Sequence, residues 1–206
     1  FMSDLLIWTL GEGAGDRAVI AAHGRTLSPE DMQARSEGFW DVGAVQFFAP
    51  RAPGNTWYPK PFLEPIADNE PSLTASLAAL DDALAAALAA GFTADRIALW
   101  GFSQGACLVS HWLLTRPRLV GGAIIHTGGF IGPDALARPA APLPIPIVMR
   151  SIQHDPFVPA SRVLETAELM RAAGATVDLR IEPGDEHIVT DEAMLASSAM
   201  LRDLGR

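Results

Sequence analysis

Hydrophobic and polar positions follow two rhythms along this chain, and the changes between them mark out its elements. Apolar runs of strand length stand at Leu5 to Leu10, Arg17 to Ala22, Val42 to Phe48 and Ile97 to Trp100. Three more stand at Val120 to Ile125, Ile147 to Ile152 and Thr176 to Ile181. Between them the rhythm lengthens. Leu73, Leu77, Leu80, Leu84 and Leu88 recur at three- and four-residue steps and predict a helix stopped by Gly91. Ser28-Pro29-Glu30-Asp31 predicts a helix start, with a capping serine, proline at the first position and acids in the first turn. Ala106 to Leu114 reads as a buried helix. Pro159 to Ala173 turns Val163, Leu164, Ala167 and Met170 inward and closes at Gly174. Thr190-Asp191-Glu192 caps a last helix with Met194, Leu195, Ser198 and Leu201 on its inner face. Strands alternating with helices predict an α/β fold with a mostly parallel central sheet and helices on both faces.

Two segments break the alternation. Ala49 to Asn69 holds five prolines around Trp57, Tyr58 and Phe62, and a loop of that length with aromatic content is expected to be ordered and functional. Gly132 to Pro146 carries five prolines, which rules out a long helix there.

Composition narrows the picture further. The 206 residues fit a single domain spanning 1–206, with Phe1 ahead of Met2 set aside as a cloning remnant. A formal net charge of −9 argues against nucleic acid or an anionic membrane surface as partner. Cys107 is the only cysteine, so an internal disulfide and a multi-cysteine zinc site are excluded. No spacing of Asp and His suggests a metal, and no cofactor is expected. With neither a leader pattern nor an uninterrupted apolar run of about 18 residues, no membrane span and a cytoplasmic location are expected. A homodimer is compatible with all of this.

In open α/β sheets ligands bind at the carboxyl ends of the strands, and the chemistry-bearing residues fall there. Gly101-Phe-Ser103-Gln-Gly105 lies between a strand and a helix, the setting of a nucleophile elbow. A Cβ at either glycine would clash in so tight a turn, and the helix N-terminus beyond it favours negative charge. A serine hydroxyl needs a base, and the base needs a group to fix its tautomer.

Five histidines compete for the role of base. His187 follows the last strand and precedes the last helix, after a candidate acid. His154 leaves no acid correctly placed before it, and His126 comes too early in the chain. His111 reads as packing and His23 as structural. For the acid, Asp155 follows the Ile147 strand in a proline-stiffened turn. Asp185 and Glu186 are too close in sequence to His187, and Asp134 lies in the proline-rich segment. Ser103, Asp155 and His187 thus fall in the α/β-hydrolase order of nucleophile, acid and histidine. The Gln104 N–H is expected to be one oxyanion donor. The loop His23-Gly24-Arg25-Thr26 supplies either the second donor, at Arg25, or an ordinary turn.

Four pieces together resemble the phospholipase/carboxylesterase family of α/β-hydrolases: Gly101-Phe-Ser-Gln-Gly-Ala106 with its strand, His23-Gly24, Asp155-Pro-Phe-Val-Pro159 and Gly184-x-x-His187. The resemblance covers nearly the whole chain. It implies Ser103 as nucleophile, Asp155 as acid, His187 as base, and Arg25 with Gln104 as oxyanion donors. Thr26 stands where members commonly carry a second loop glycine. His126-Thr127 replaces a common Ser-Gly, and Asn55 to Pro59 departs from the thioesterase-like branch.

The expected activity is cleavage of small or short-acyl carboxylic esters through an acyl-enzyme. Thioesterase or lysophospholipase chemistry on the same three residues is the first alternative, and a non-catalytic binding protein on this fold the second. Trp57, Tyr58, Phe62 and His126 are the candidate substrate-binding residues. Cys107 reads as core, and Arg51 and Lys60 as solvated loop charges. Asp155 lies 52 residues after Ser103, and His187 lies 32 after Asp155, which leaves no length for a separate lid domain.

Overall fold

A computed structural model describes residues 4–116, 119–134, 136 and 139–206, so Phe1 and parts of the proline-rich segment lie outside the described residues. Seven strands form one sheet: β1 (Leu5–Leu10), β2 (Arg17–Ala22), β3 (Val45–Pro50), β4 (Ile97–Phe102), β5 (Gly122–His126), β6 (Pro146–Ile152) and β7 (Thr176–Glu182). Their order is β1-β3-β2-β4-β5-β6-β7. Only β1 runs antiparallel, against β3; the other five pairings are parallel.

The central strands are buried on both faces, so their residues are apolar throughout and divide between two cores by alternation. Ile20, Leu99, Ile125 and Met149 face α3 (Ser72–Ala89), α4 (Gln104–Thr115) and α5 (Ala160–Ala172). Val19, Trp100, Ile124 and Val148 face α1 (Pro29–Ser36) and α6 (Asp191–Asp203). A register shift of β4 by one residue would exchange Leu99 and Trp100 between these two cores.

Helix starts follow the sequence signals. The Ser28 hydroxyl accepts from the Asp31 N–H while Asp31 accepts from the Ser28 N–H, a complete capping box ahead of Pro29. Thr190 caps α6 through the Ala193 N–H at 3.1 Å. The 18 residues of α3 are long and apolar enough to cross a bilayer, but Leu73, Leu77, Leu80 and Leu84 pack on the sheet and Asp81 and Asp82 break the apolar run.

Several expectations need correcting. The third strand begins at Val45, because Asp41 and Gly43 take positive φ values of 53° and 69° and turn the chain. Leu88, Leu164 and Leu195, expected inward, are all exposed at the edges of their apolar stripes. The Ala49–Asn69 segment is ordered but not wholly irregular: it contains a 3₁₀ turn (Pro53–Asn55) and α2 (Ile66–Asn69). No separate lid domain is present among the described residues.

Candidate active site

The turn between β4 and α4 carries Ser103 at φ 55° and ψ −119°, a region that non-glycine residues enter only under strain. Its neighbours make this possible. A Cβ on Gly105 would stand 2.1 Å from the Ala22 carbonyl oxygen, and one on Gly101 would stand 2.6 Å from Ala106 Cα. Both glycines are therefore dictated by the close approach of α4 to the sheet. The Ser103 N–H donates to the His126 carbonyl at 3.0 Å, which ties the turn to β5.

The loops after β6 and β7 bring the other two groups to this serine. The Gln153 N–H donates to the Glu182 carbonyl, and the His154 N–H to the Gly184 carbonyl, at 2.8 and 3.0 Å. With the loops so joined, His187 Nδ1 lies 2.6 Å from Asp155 Oδ2, and His187 Nε2 lies 2.7 Å from Ser103 Oγ. The second carboxylate oxygen, Oδ1, accepts from the N–H groups of Phe157 and Val158, each at 2.9 Å. Burial works to raise the Asp155 pKa, but these three hydrogen bonds and the His187 charge outweigh it and hold the carboxyl below its ordinary value. The His187 ring is walled by Phe102 and Phe157, with centroids 5.2 and 5.0 Å away. Of the competitors, His154, Asp185, Glu186 and Asp134 are exposed, whereas His23, His111 and His126 are buried.

The loop after β2 passes directly beside the serine: a Cβ on Gly24 would lie 3.4 Å from Ser103 Cβ. Arg25 is fixed from its far end, where its guanidinium donates to the carbonyls of Tyr58, Pro59 and Lys60 at 2.9 to 3.0 Å. Among the described residues the backbone N–H groups of Arg25 and Gln104 have no protein acceptor. Thr26 takes φ 65°, the conformation that a glycine at that position supplies freely, and its N–H donates to Asn55 at 2.8 Å.

A cleft of about 590 Å³ opens over Ser103 and His187, lined also by Arg25, Thr26, Tyr58, Pro61, Phe62, Gln104, Cys107, Phe157 and Val158. Tyr58 and Phe62 are thus in the expected place. Trp57 and His126 are not. Trp57 is buried, with its indole N–H on the His23 carbonyl at 2.8 Å and its ring 4.8 Å from the His23 ring, so it anchors the loop from behind. It borders a different cavity, of about 860 Å³, between the loop and α3.

His126 lies on the opposite face of the sheet. Its Nδ1 accepts from Trp100 Nε1 at 3.2 Å, and its Nε2 meets Ser197 Oγ at 3.0 Å. Only its backbone carbonyl touches the Ser103 turn. Burial first, then the charges of Arg150 and Arg35, push its pKa down to about 3. Arg51 is held by Asp4 and Glu30, and Lys60 is exposed.

Thr26, Pro61, Cys107, Phe157 and Val158 were not anticipated as cleft residues. Phe157 and Val158 lie in the Asp155-Pro-Phe-Val-Pro159 stretch, whose tight turn already implied that residues just past Asp155 would face the serine. Cys107, read as core, is buried but also forms part of the cleft floor, one turn along α4 from Ser103. No group of three or more His, Cys, Asp or Glu suited to a metal occurs among the described residues.

A parallel sheet with one antiparallel edge strand, and a serine on the strained turn between β4 and α4, define an α/β-hydrolase fold. The phospholipase/carboxylesterase family model matches residues 45–203. The acyl-protein thioesterase 1 of Schizosaccharomyces pombe is 33% identical over 200 residues, covering 86% of each chain. The crystal structure of a phospholipase/carboxylesterase from Dyadobacter fermentans superposes with a TM-score of 0.88 at 29% identity, covering 98% of both chains. The Bacillus cereus carboxylesterase shares the fold at a TM-score of 0.75 and 18% identity, over 98% of this chain and 95% of that one. The chain belongs to the phospholipase/carboxylesterase family, a family of hydrolases.

Proposed function

We propose that the protein is a serine hydrolase that cleaves carboxylic esters through an acyl-enzyme, with small or short-acyl substrates. One observation carries this reading: His187 bridges Ser103 and Asp155 with both ring nitrogens, at 2.7 and 2.6 Å. Asp155, held ionised, accepts the Nδ1 proton and leaves Nε2 as the base toward Ser103 Oγ. As Oγ attacks the ester carbonyl, its proton passes to Nε2, and the negative charge develops on the former carbonyl oxygen. The N–H groups of Arg25 and Gln104, with the N-terminus of α4 behind the latter, are the donors for that oxyanion. His187 then gives the proton to the departing alkoxide, and the same steps with water release the acid.

Tyr58 and Phe62 line the cleft, and among the described residues no separate lid domain extends it, which supports compact acyl groups over long chains. Thioester cleavage needs the same acyl-enzyme, and the thioesterase relative makes it the second reading. Labelling by a fluorophosphonate probe tests the chemistry: wild-type protein should label and Ser103→Ala should not. Equal labelling of both, or none of either, would overturn the serine mechanism in favour of a binding protein on this fold. Hydrolysis of p-nitrophenyl butyrate should exceed that of the palmitate, and the reverse order would count against a short-acyl site.

A further inference from the structure

The cleft contains a polar group that ester cleavage by Ser103, Asp155 and His187 leaves unused. Tyr58 is 1% exposed, and its phenolic hydroxyl makes no hydrogen bond among the described residues. It stands beside the Cys107 thiol, which is at best a weak partner. The backbone next to it is engaged. The Tyr58 carbonyl accepts from Gln104 Nε2 and Arg25 Nη2, and Ser76 holds the Trp57 carbonyl at 2.6 Å. Among the described residues the only other buried side-chain polar atom in this state is Ser151 Oγ, which lies outside the cleft. Buried hydroxyls are retained against their desolvation cost where a partner completes them; the thiol is a weak one, and the cleft that Tyr58 lines is where a stronger one can enter.

The chemistry of that partner can be narrowed. Burial holds the Tyr58 pKa well above its ordinary value, so the hydroxyl is neutral and both donates and accepts. The neighbouring cation, Arg25, already spends its guanidinium on three backbone carbonyls. The site therefore suits a neutral oxygen better than a carboxylate. Its position follows from α4: Cys107 is four residues past Ser103, about 6 Å along the helix axis. Ser103, Cys107 and Tyr58 line the same cleft, so a substituent a few bonds from the reacting carbonyl lies along this wall.

We propose that Tyr58 is a specificity-determining residue, whose hydroxyl hydrogen-bonds a neutral hydroxyl or carbonyl oxygen on the acyl group and so selects such esters over plain alkyl esters of equal length. This rests on the reading of the cleft as an ester site. The test compares p-nitrophenyl 3-hydroxybutyrate with p-nitrophenyl butyrate for wild-type protein and Tyr58→Phe. Wild type should favour the hydroxy ester by about tenfold in kcat/KM, the weight of one satisfied buried hydrogen bond. In Tyr58→Phe that ratio should fall toward one, while the thermal midpoint holds or rises, because an unpartnered buried oxygen has been removed.

A wild-type ratio near one overturns the assignment without any variant. An unchanged ratio in Tyr58→Phe overturns it too, as does a lowered thermal midpoint with both substrates slowed equally, which would mark a structural hydroxyl. If wild type hydrolyses neither ester, the ester reading itself fails and takes this inference with it.

Discussion

The side-chain amide of Gln104 is bonded to the Tyr58 carbonyl by its Nε2 at 2.8 Å, while its Oε1 accepts the Trp57 N–H at 3.0 Å. The residue after Ser103 therefore ties the turn below it to the loop that walls the cleft. Its backbone N–H and its side chain do different things, and substitution separates them. Gln104→Ala keeps the N–H, strands the buried Trp57 N–H and leaves the Tyr58 carbonyl with Arg25 as its remaining donor. It should lower stability by about 3 kcal/mol in urea denaturation and weaken KM more than kcat. A loss confined to kcat would show that the loop does not depend on this amide.

Asp155 receives three hydrogen bonds at its carboxylate, and His187 supplies the one that fixes the imidazole. In Asp155→Asn the amide oxygen stays on the Phe157 and Val158 N–H groups, so an amide N–H faces Nδ1 and favours the tautomer with its proton on Nε2, facing Ser103. Ester turnover should fall by about three to four orders of magnitude, with circular dichroism unchanged. Steady-state kinetics on p-nitrophenyl butyrate read the effect. A loss of less than tenfold would place the acid elsewhere.

The positions of Ser103, Asp155 and His187 were legible in the sequence because each follows a strand, and strand ends in a parallel sheet converge. The direction of a side chain was harder to read. Ile125 packs on the α4 side, so strand alternation sends the next residue, His126, to the α6 side beside Trp100. That signal was present and was overridden by proximity to the elbow. Trp57 carried no such signal. Whether an aromatic in a proline-rich loop faces the cleft or the core depends on His23, Gln104 and Ser76, which are distant in sequence. The outer limits of the helix stripes failed at Leu88, Leu164 and Leu195 for a simpler reason: periodicity does not say where the sheet ends.

Thr26 is β-branched and sits at φ 65° in the wall of the cleft. Its hydroxyl donates to the Arg25 carbonyl at 2.6 Å, which offsets part of the strain at an exposed position. Left-handed backbone costs a residue of this kind about 1–2 kcal/mol, whereas glycine there costs about 0.5–1 kcal/mol in unfolded-state entropy. Thr26→Gly should therefore raise the thermal midpoint by about 1–3 °C. Calorimetry of the purified variant decides it. A drop would mean that the hydroxyl outweighs the backbone strain.

His126 and His111 together make a pH prediction. The Trp100 N–H points at His126 Nδ1, and Trp can only donate, so Nε2 carries the proton and gives it to Ser197. A second proton would have no acceptor. His111 Nδ1 likewise accepts the Ile131 N–H at 3.3 Å, and burial is the main reason its pKa falls to about 4. Both folded values lie below the ordinary 6.5, so between them the unfolded chain binds more protons than the folded one. The sign follows: stability from keeping these rings neutral is present above pH 6.5 and is lost progressively as pH falls toward the folded values. At pH 5 the loss should be on the order of 2 kcal/mol per histidine. Urea denaturation of wild type and His126→Gln at pH 7.5 and 5.0 isolates one share. The variant should be less stable at pH 7.5, yet its loss on acidification should be smaller by that amount. Equal losses in the two proteins would mean that His126 takes up its proton in the folded state as readily as in the unfolded chain.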